Sequence, residues 1–516
     1  MPNTFFITTA IDYTNGAPHI GHAYEKVLAD AIARYQRLDG REVFFLTGVD
    51  QHGQKVQQSA QKSGVEPAEF VAEITSLFLS LWKKLDLSYD AWAATVENLH
   101  KSCVQGMLQR LWDEGQFYKA TQSGYYSVRQ EQFLTEKERG PDGEFGPEWG
   151  EVVLIEEENY YFKLATHREW LLNLIDSRSQ AGNPLVVPDF RVAELRNAVE
   201  KLTGDLCISR PKSRLTWGIE LPFDQAFVTY VWFDALSNYI SFAGYDARPG
   251  ADLSLFKSRW PALQVIGKDI LIPPHGIYWM VMLHALGFTD AEMPTLLVHG
   301  WWNISGAKMS KSLGNIIDPD VLVSRYGQAA LRYYLLCDIS TGRDADFSVE
   351  RLEQRYNAEL ANSLGNLLNR TLSMAKRYRA GLLRRMDSPL AAFVQEKTAA
   401  YHAAMKCYQL QSAIESAMEI VTRCNAYVEE TAPWKLAKDP AQADKLDEVL
   451  YTLSESLRIV SILMAPIIPG EADAIRSQLE WKGDVSFATA SWGLLPEGHQ
   501  LGEPVPLFPR IESREA

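Results

Sequence analysis

The first fifty residues constrain this chain more than any other stretch. TFFITTA (4–10) is β-branched and aromatic, and DYTNGAP (12–18) is turn chemistry. HIGHAYEKVLADAIARYQRLDG (19–40) has helical periodicity and stops at a glycine, and EVFFLTG (42–48) reads as a second strand. A strand, a helix and a further strand in this order call for a parallel pair joined by a right-handed crossover. The fold class is therefore α/β, with a Rossmann-like parallel sheet that binds ligands beyond the carboxyl ends of its strands.

The rest of the chain divides around that sheet. Residues 1–116 form its first half, with further helices near 66–85 and 97–115. The texture changes over 117–225, where aromatic-rich short runs, a Gly/Pro/Glu hairpin and a helix near 165–178 read as an inserted domain. The sheet is expected to resume over 226–348 with YVWFDALSNYI (230–240), ALQVIGKDILIP (262–273) and TLLVHGWWNI (295–304). From 349 to 475 the pattern is that of an α-helical bundle, with long runs at 349–379, 391–430 and 441–465. Residues 476–516, rich in Trp, Gly and Pro, read as an extended strap. A length of 516 residues accommodates about three such domains, each able to bury its own core.

Composition narrows the setting. The five cysteines, Cys103, Cys207, Cys337, Cys407 and Cys424, form no C-x-x-C pair, which points to a reducing, cytoplasmic compartment. No secretory leader and no 18-residue uncharged apolar run is visible, so a membrane is not an expected partner. The net charge of −14 argues against nucleic acid in general and DNA in particular. Residues 351–390 depart from that average, with eight basic against three acidic side chains, a local +5.

Four stretches carry chemistry. PHIGHAY (18–24) opens the first helix directly after the first strand. Its histidines, His19 and His22, are spaced i,i+3 and can join the helix-terminal N–H groups in holding a phosphate, while Gly21 lets a flat ring approach the backbone. GAKMSKSLGN (306–315) places Lys308 and Lys311 in a Gly/Ser-rich loop suited to clamping a polyphosphate leaving group, without the spacing of a P-loop. FLTGVDQHGQK (45–55) ends the second strand on Asp50, suited to pairing with an ammonium group. VWFDALSNYI and GKDILIPPHGIYWM (267–280) bring Trp232, Tyr239, His275, Tyr278 and Trp279 toward the same sheet edge.

Together H-I-G-H (19–22) and K-M-S-K-S (308–312), with an insertion between them, resemble the double signature of class I aminoacyl-tRNA synthetases. TNGAPHIGHAY, FLTGVDQHGQK, VWFDALSNYI, VHGWWNISGAKMSKSLGN and YVEETAPWKLAK resemble its methionine-specific members over nearly the whole chain. The resemblance implies that an amino acid carboxylate attacks the α-phosphate of ATP and that tRNA then accepts the aminoacyl group, by positioning and charge stabilisation. It places His19, Gly21, His22, Lys308, Ser310 and Lys311 at ATP, which Mg²⁺ would accompany. It places Ile11, Tyr13, Asp50, Trp232, Ala235, Tyr239 and His275 around L-methionine, with the Tyr13 hydroxyl and His275 reaching its sulfur. In the helical bundle it implies that Asn366, Arg370 and Trp434 read the anticodon of tRNA(Met), elongator and initiator alike. The basic run at 351–390 then becomes a candidate phosphate track.

Two departures qualify the resemblance. Many relatives carry cysteine-built zinc knuckles in the inserted domain, whereas no cysteine stands between Cys103 and Cys207 here. We therefore expect no structural zinc, with YYSVRQEQFLTEKERGPDGEFGPEW (125–149) forming a protein-only turn. The tail carries no extra oligonucleotide-binding domain, so a monomer is expected. Gln51 also stands where a Glu is common. The alternatives are a synthetase of the same class with another amino acid specificity, or a tRNA-binding relative without catalysis.

Overall fold

The strand β1 (Thr4–Thr9) lies at the centre of the sheet and is buried on both faces from Phe6 onward. The chain is described here from a computed structural model covering residues 4–127, 132–134, 136–140, 142–308 and 317–511. On one side β1 pairs with β3 (Glu42–Asp50), which is flanked by β2 (Asp12–Tyr13) and β4 (Ala91–Ala94). On the other side the order runs through Ala262–Gly267 and Thr295–His299 to Val186–Val187. Every pairing in this sheet is parallel. The continuous apolar reading of these strands follows from their being covered by helices on both faces.

Three expected elements differ. Residues 230–240 are not a strand but the helix Val231–Ser241. Its aromatic and apolar residues face inward nearly all the way round, so the run shows neither helical nor strand periodicity. Its polar residues satisfy themselves locally, Ser237 Oγ on Phe233 O (2.6 Å) and Asn238 Nδ2 on Ala235 O (2.6 Å). The next strand ends at Gly267, and Leu271–Trp279, with Pro273 and Pro274, forms a π-helical turn. The run 391–430 is two helices, Ala391–Lys406 and Leu410–Thr431, interrupted where Tyr408 takes a positive φ of 57°.

The inserted stretch is built on the long antiparallel pair Phe117–Ser127 and Val152–Phe162. At its tip the Arg139 guanidinium sits 4.8 Å from the Tyr125 ring centroid and 4.3 Å from that of Phe145. It also bonds Glu136 Oε2 (2.8 Å) and Gly143 O (2.7 Å), forming a cation–aromatic clasp across the turn. The insertion is not wholly separate, because its residues Val186–Val187 return to the edge of the parallel sheet.

The helix α1 (Ile20–Leu38) is buried on almost all sides because it lies between the sheet and the helical bundle. Arg332, fully buried, ties these layers together. It pairs with Asp30 of α1 at 2.6 Å and donates to the carbonyls of Leu85 (3.0 Å), Pro466 (3.0 Å) and Ile467 (2.8 Å). Burial pushes the Asp30 carboxyl up, but Arg332 and Arg34 outweigh it and hold the group below its ordinary range. Beyond the helix Pro469–Gln478 the chain pairs His499–Gln500 with Leu382–Leu383 and ties Ile511 to Asn357 by two 2.9 Å bonds.

Candidate active site

The start of α1 shapes its two histidines. His19 is the N-cap in extended backbone, so Pro18 precedes the cap rather than opening the helix. Gly21 N–H donates to His19 Nδ1 and His19 N–H donates to His22 Nδ1, each at 3.1 Å. With Nδ1 accepting in both rings, each neutral imidazole carries its proton on Nε2, and the helix end, whose first-turn N–H groups are taken up by the two imidazoles, Ile317 O and His19 O, presents ring N–H donors. The rings stack with centroids 3.7 Å apart. The flat ring that lies over Gly21 is that of His19, since a Cβ there would stand 3.0 Å from His19 Cε1.

Lys308 ends the short strand Ala307–Lys308, which folds back on Trp302–Ile304 through a Ser305–Gly306 turn with φ of 50° and 76°. Ser310 and Lys311 lie outside the described residues. The chain re-emerges at Ile317, whose carbonyl accepts the N–H of Ile20 at 3.2 Å. The described chain after residue 316 thus begins against the first turn of α1.

All seven residues expected around an amino acid, Ile11, Tyr13, Asp50, Trp232, Ala235, Tyr239 and His275, line one cavity of about 720 Å³. Asp50 sits at the carboxyl end of β3 in register with Tyr13 and is 5% exposed. Its carbonyl takes Thr14 N–H and Oγ1 at 2.9 Å, and its Oδ1 takes the His52 N–H at 3.3 Å. Gln51 is accommodated beside it, with Nε2 on Thr75 Oγ1 at 2.9 Å. Trp232, Ala235 and Tyr239 share one face of their helix. His275 Nδ1 donates to Ile270 O (2.9 Å), so its Nε2 accepts the Tyr239 hydroxyl at 2.7 Å. Burial lowers His275 to about 4 and pushes Tyr239 well up, so both stay neutral in the physiological range. With both His275 nitrogens engaged, the polar group on that wall is the Tyr239 hydroxyl. Tyr278 also lines the cavity, whereas Trp279 is core.

Sequence reasoning missed the supports of this pocket. Asp234 receives His52 Nδ1 at 2.7 Å and His100 Nε2 at 2.8 Å, joining the Asp50 loop to the Trp232 helix from behind. Burial pushes Asp234 up, but the two histidines win and hold it down at about 2. A buried Asp inside an aromatic run was the available signal. The cavity is also lined by Lys55 of the helix Gln54–Ser63, by Tyr161 and Arg210 of the insertion, and by Tyr230 just before the Trp232 helix, none of which the sequence reading assigned to the site.

In the helical bundle Asn366 and Arg370 lie one turn apart on the helix Asn366–Arg379, and Arg370 stands 5.9 Å from the ring centroid of Trp434, which is 37% exposed. The +5 stretch is corrected as a phosphate track. Six of its eight cations, Arg351, Arg355, Arg370, Lys376, Arg379 and Arg384, pair with carboxylates, most of them from other parts of the chain.

Comparison with known proteins agrees with this geometry. The family described as tRNA synthetases class I (M) matches residues 5–142 and 150–372, and the anticodon binding domain of methionyl tRNA ligase matches 379–516. The methionine–tRNA ligase of Deinococcus radiodurans is 42% identical over 99% of this chain and 75% of its own length. That of Caldanaerobacter subterraneus is 40% identical over 99% and 80%. The chain belongs to the methionyl-tRNA synthetase family. Mycobacterium tuberculosis methionyl-tRNA synthetase in complex with methionyl-adenylate superposes with a TM-score of 0.91 at 34% identity, covering 98% of this synthetase and 100% of that chain. Among the described residues of the synthetase no group of three or more His, Cys, Asp or Glu could hold a metal, and no helix is long and apolar enough to cross a membrane.

Proposed function

We propose that the synthetase attaches methionine to tRNA through methionyl-adenylate, with the roles divided as follows. The Nε2–H donors of His19 and His22 and the amino end of α1 receive the ATP phosphates, and Mg²⁺ enters with the nucleotide as part of the substrate. Asp50 takes the methionine ammonium, while Ile11, Trp232 and Ala235 enclose the side chain, with the hydroxyls of Tyr13 and Tyr239 facing the sulfur. The methionine carboxylate attacks the α-phosphorus and pyrophosphate leaves, its charge met by Lys308 and Lys311. The terminal ribose hydroxyl of tRNA then attacks the activated carbonyl and AMP departs. The observation that supports this reading is the Ile20–Ile317 bond, which brings the chain five residues beyond the K-M-S-K-S motif against the helix turn that carries His19 and His22.

Methionine-dependent pyrophosphate exchange tests it. Lys311→Ala is expected to slow adenylate formation by about 10²–10³-fold while methionine affinity stays unchanged. Equal pre-steady-state rates for variant and parent, or exchange that ignores methionine, would refute the assignment. We further propose that the inserted stretch needs no zinc, the Arg139 clasp holding its turn, so that the same preparation yields no stoichiometric zinc on elemental analysis.

Anticodon reading is assigned to Asn366, Arg370 and Trp434, where an exposed indole beside a guanidinium offers stacking and hydrogen bonding to splayed bases. Trp434→Ala is expected to raise the KM for tRNA about tenfold without altering pyrophosphate exchange. An unchanged aminoacylation KM contradicts it. A single chain completes the cavity, which supports a monomer as the working unit, and five free cysteines support a reducing cytoplasm.

A further inference from the structure

Behind the histidine pair lies a buried ionic cluster that the reaction just described leaves without a role. Lys26, one turn beyond His22 on α1, is fully buried. Its ammonium donates to Ala10 O (2.9 Å), Asp12 Oδ1 (2.6 Å) and Glu25 Oε1 (2.9 Å), which occupies all three of its protons. Two carboxylates therefore share one cation. The Asp12 Oδ2 atom is buried and has no hydrogen-bond partner, while Oδ1 of the same group stands 4.0 Å from His22 Nε2. That nitrogen is the one the helix cap leaves carrying a proton.

We propose that Asp12 is an affinity-determining residue for ATP, taking up a solvent proton on Oδ2 when the triphosphate docks against His22. The inference rests on the assignment of His22 to the phosphates. An ionised Asp12 at this distance competes for the His22 donor and repels the incoming anion, and a protonated one does neither. Protonation also relieves a buried carboxylate that has only one donor. Desolvation pushes Asp12 up to about 7, with Glu25 adding to the rise and Lys26 opposing it. The charged and titratable groups facing it are His22, Glu25 and Lys26 on α1, His299 at the end of its strand through Glu25 (3.0 Å), and Tyr239 across the cavity. Tyr239 keeps its proton, Lys26 is held up by its two carboxylates and Glu25 is held down by Lys26 and His299, whereas burial brings the Asp12 carboxyl toward neutrality. If ATP binding favours the protonated carboxyl, affinity is highest below about 7 and falls as the pH rises above it.

Calorimetry of the full chain with Mg-ATP and no methionine, in two buffers of different ionisation enthalpy, counts the protons taken up. At pH 7.5 the parent is expected to take up more protons than Asp12→Asn, the nucleotide's own titration being common to both. At pH 6 the two bind ATP within about twofold of each other. At pH 8.5 the variant binds about fivefold more tightly, a gain that structural damage does not produce. Equal proton counts and parallel affinity profiles would overturn the proposal. Should Asp12→Asn not fold, the parent alone decides, because uptake no greater than that of the nucleotide overturns it. An ATP affinity indifferent to His22→Asn removes the phosphate assignment itself, and this proposal with it.

Discussion

Asp50→Asn is expected to lower kcat/KM for methionine by about 10³-fold, roughly 4 kcal/mol, while the KM for ATP changes little. The substitution keeps the oxygen that accepts the His52 N–H, and the backbone bonds of Asp50 to Thr14 do not involve the side chain. The strand end therefore holds its shape. What disappears is the negative charge at a nearly buried position facing the cavity, where on the proposed assignment the substrate ammonium sheds its water. An amide there offers a neutral acceptor and an unwanted donor, and a cation left in a weakly polar site is costly. Pyrophosphate exchange with methionine varied at saturating ATP makes the measurement. A loss under fivefold would mean that the ammonium is held elsewhere.

The second large effect is on stability. Arg332→Met is expected to destabilise the fold by about 3 kcal/mol, because it strands the Asp30 carboxylate and three carbonyls that the guanidinium now satisfies. The estimate stays at the low end because Arg34 and Ser88 continue to support Asp30. Urea unfolding followed by two probes reads the shift in midpoint, which suits a chain of several domains better than a single free energy. The double variant Asp30→Asn with Arg332→Met should lose less than the sum of the single losses, and additive losses would contradict the coupling. The acid side carries the same signature. Asp30 is held below its ordinary 3.8, so the stability it supplies is present above that value and is lost as the pH falls through the lower, folded one. Arg332→Met should flatten that part of the acid-unfolding curve.

Much of the site was legible because its chemistry lies in short ordered runs. His19, His22 and Asp50 stand at or just after strand ends, and Trp232, Ala235 and Tyr239 lie within one short aromatic run, although its all-round burial makes the run read as a strand. Buried polar residues were not legible. Lys26 and Glu25 occur in an amphipathic helix where charge ordinarily means solvent, and only the sheet ends carrying Ala10, Asp12 and His299, with Trp82 beside them, enclose these two side chains. The basic run at 351–390 erred in the opposite direction, since its neutralising carboxylates, such as Glu429, Asp447 and Glu503, lie far along the chain.

The sequence alone determined the parallel α/β core, the insertion, the helical bundle and the chemical character of the two motifs. Local periodicity and turn chemistry act over a few residues and need no partner. Tertiary structure decided which nitrogen each histidine presents, which groups are charged and where charge survives in space. Those properties depend on burial and on partners tens to hundreds of residues away, as when Ile317 meets Ile20 or Arg332 meets Asp30.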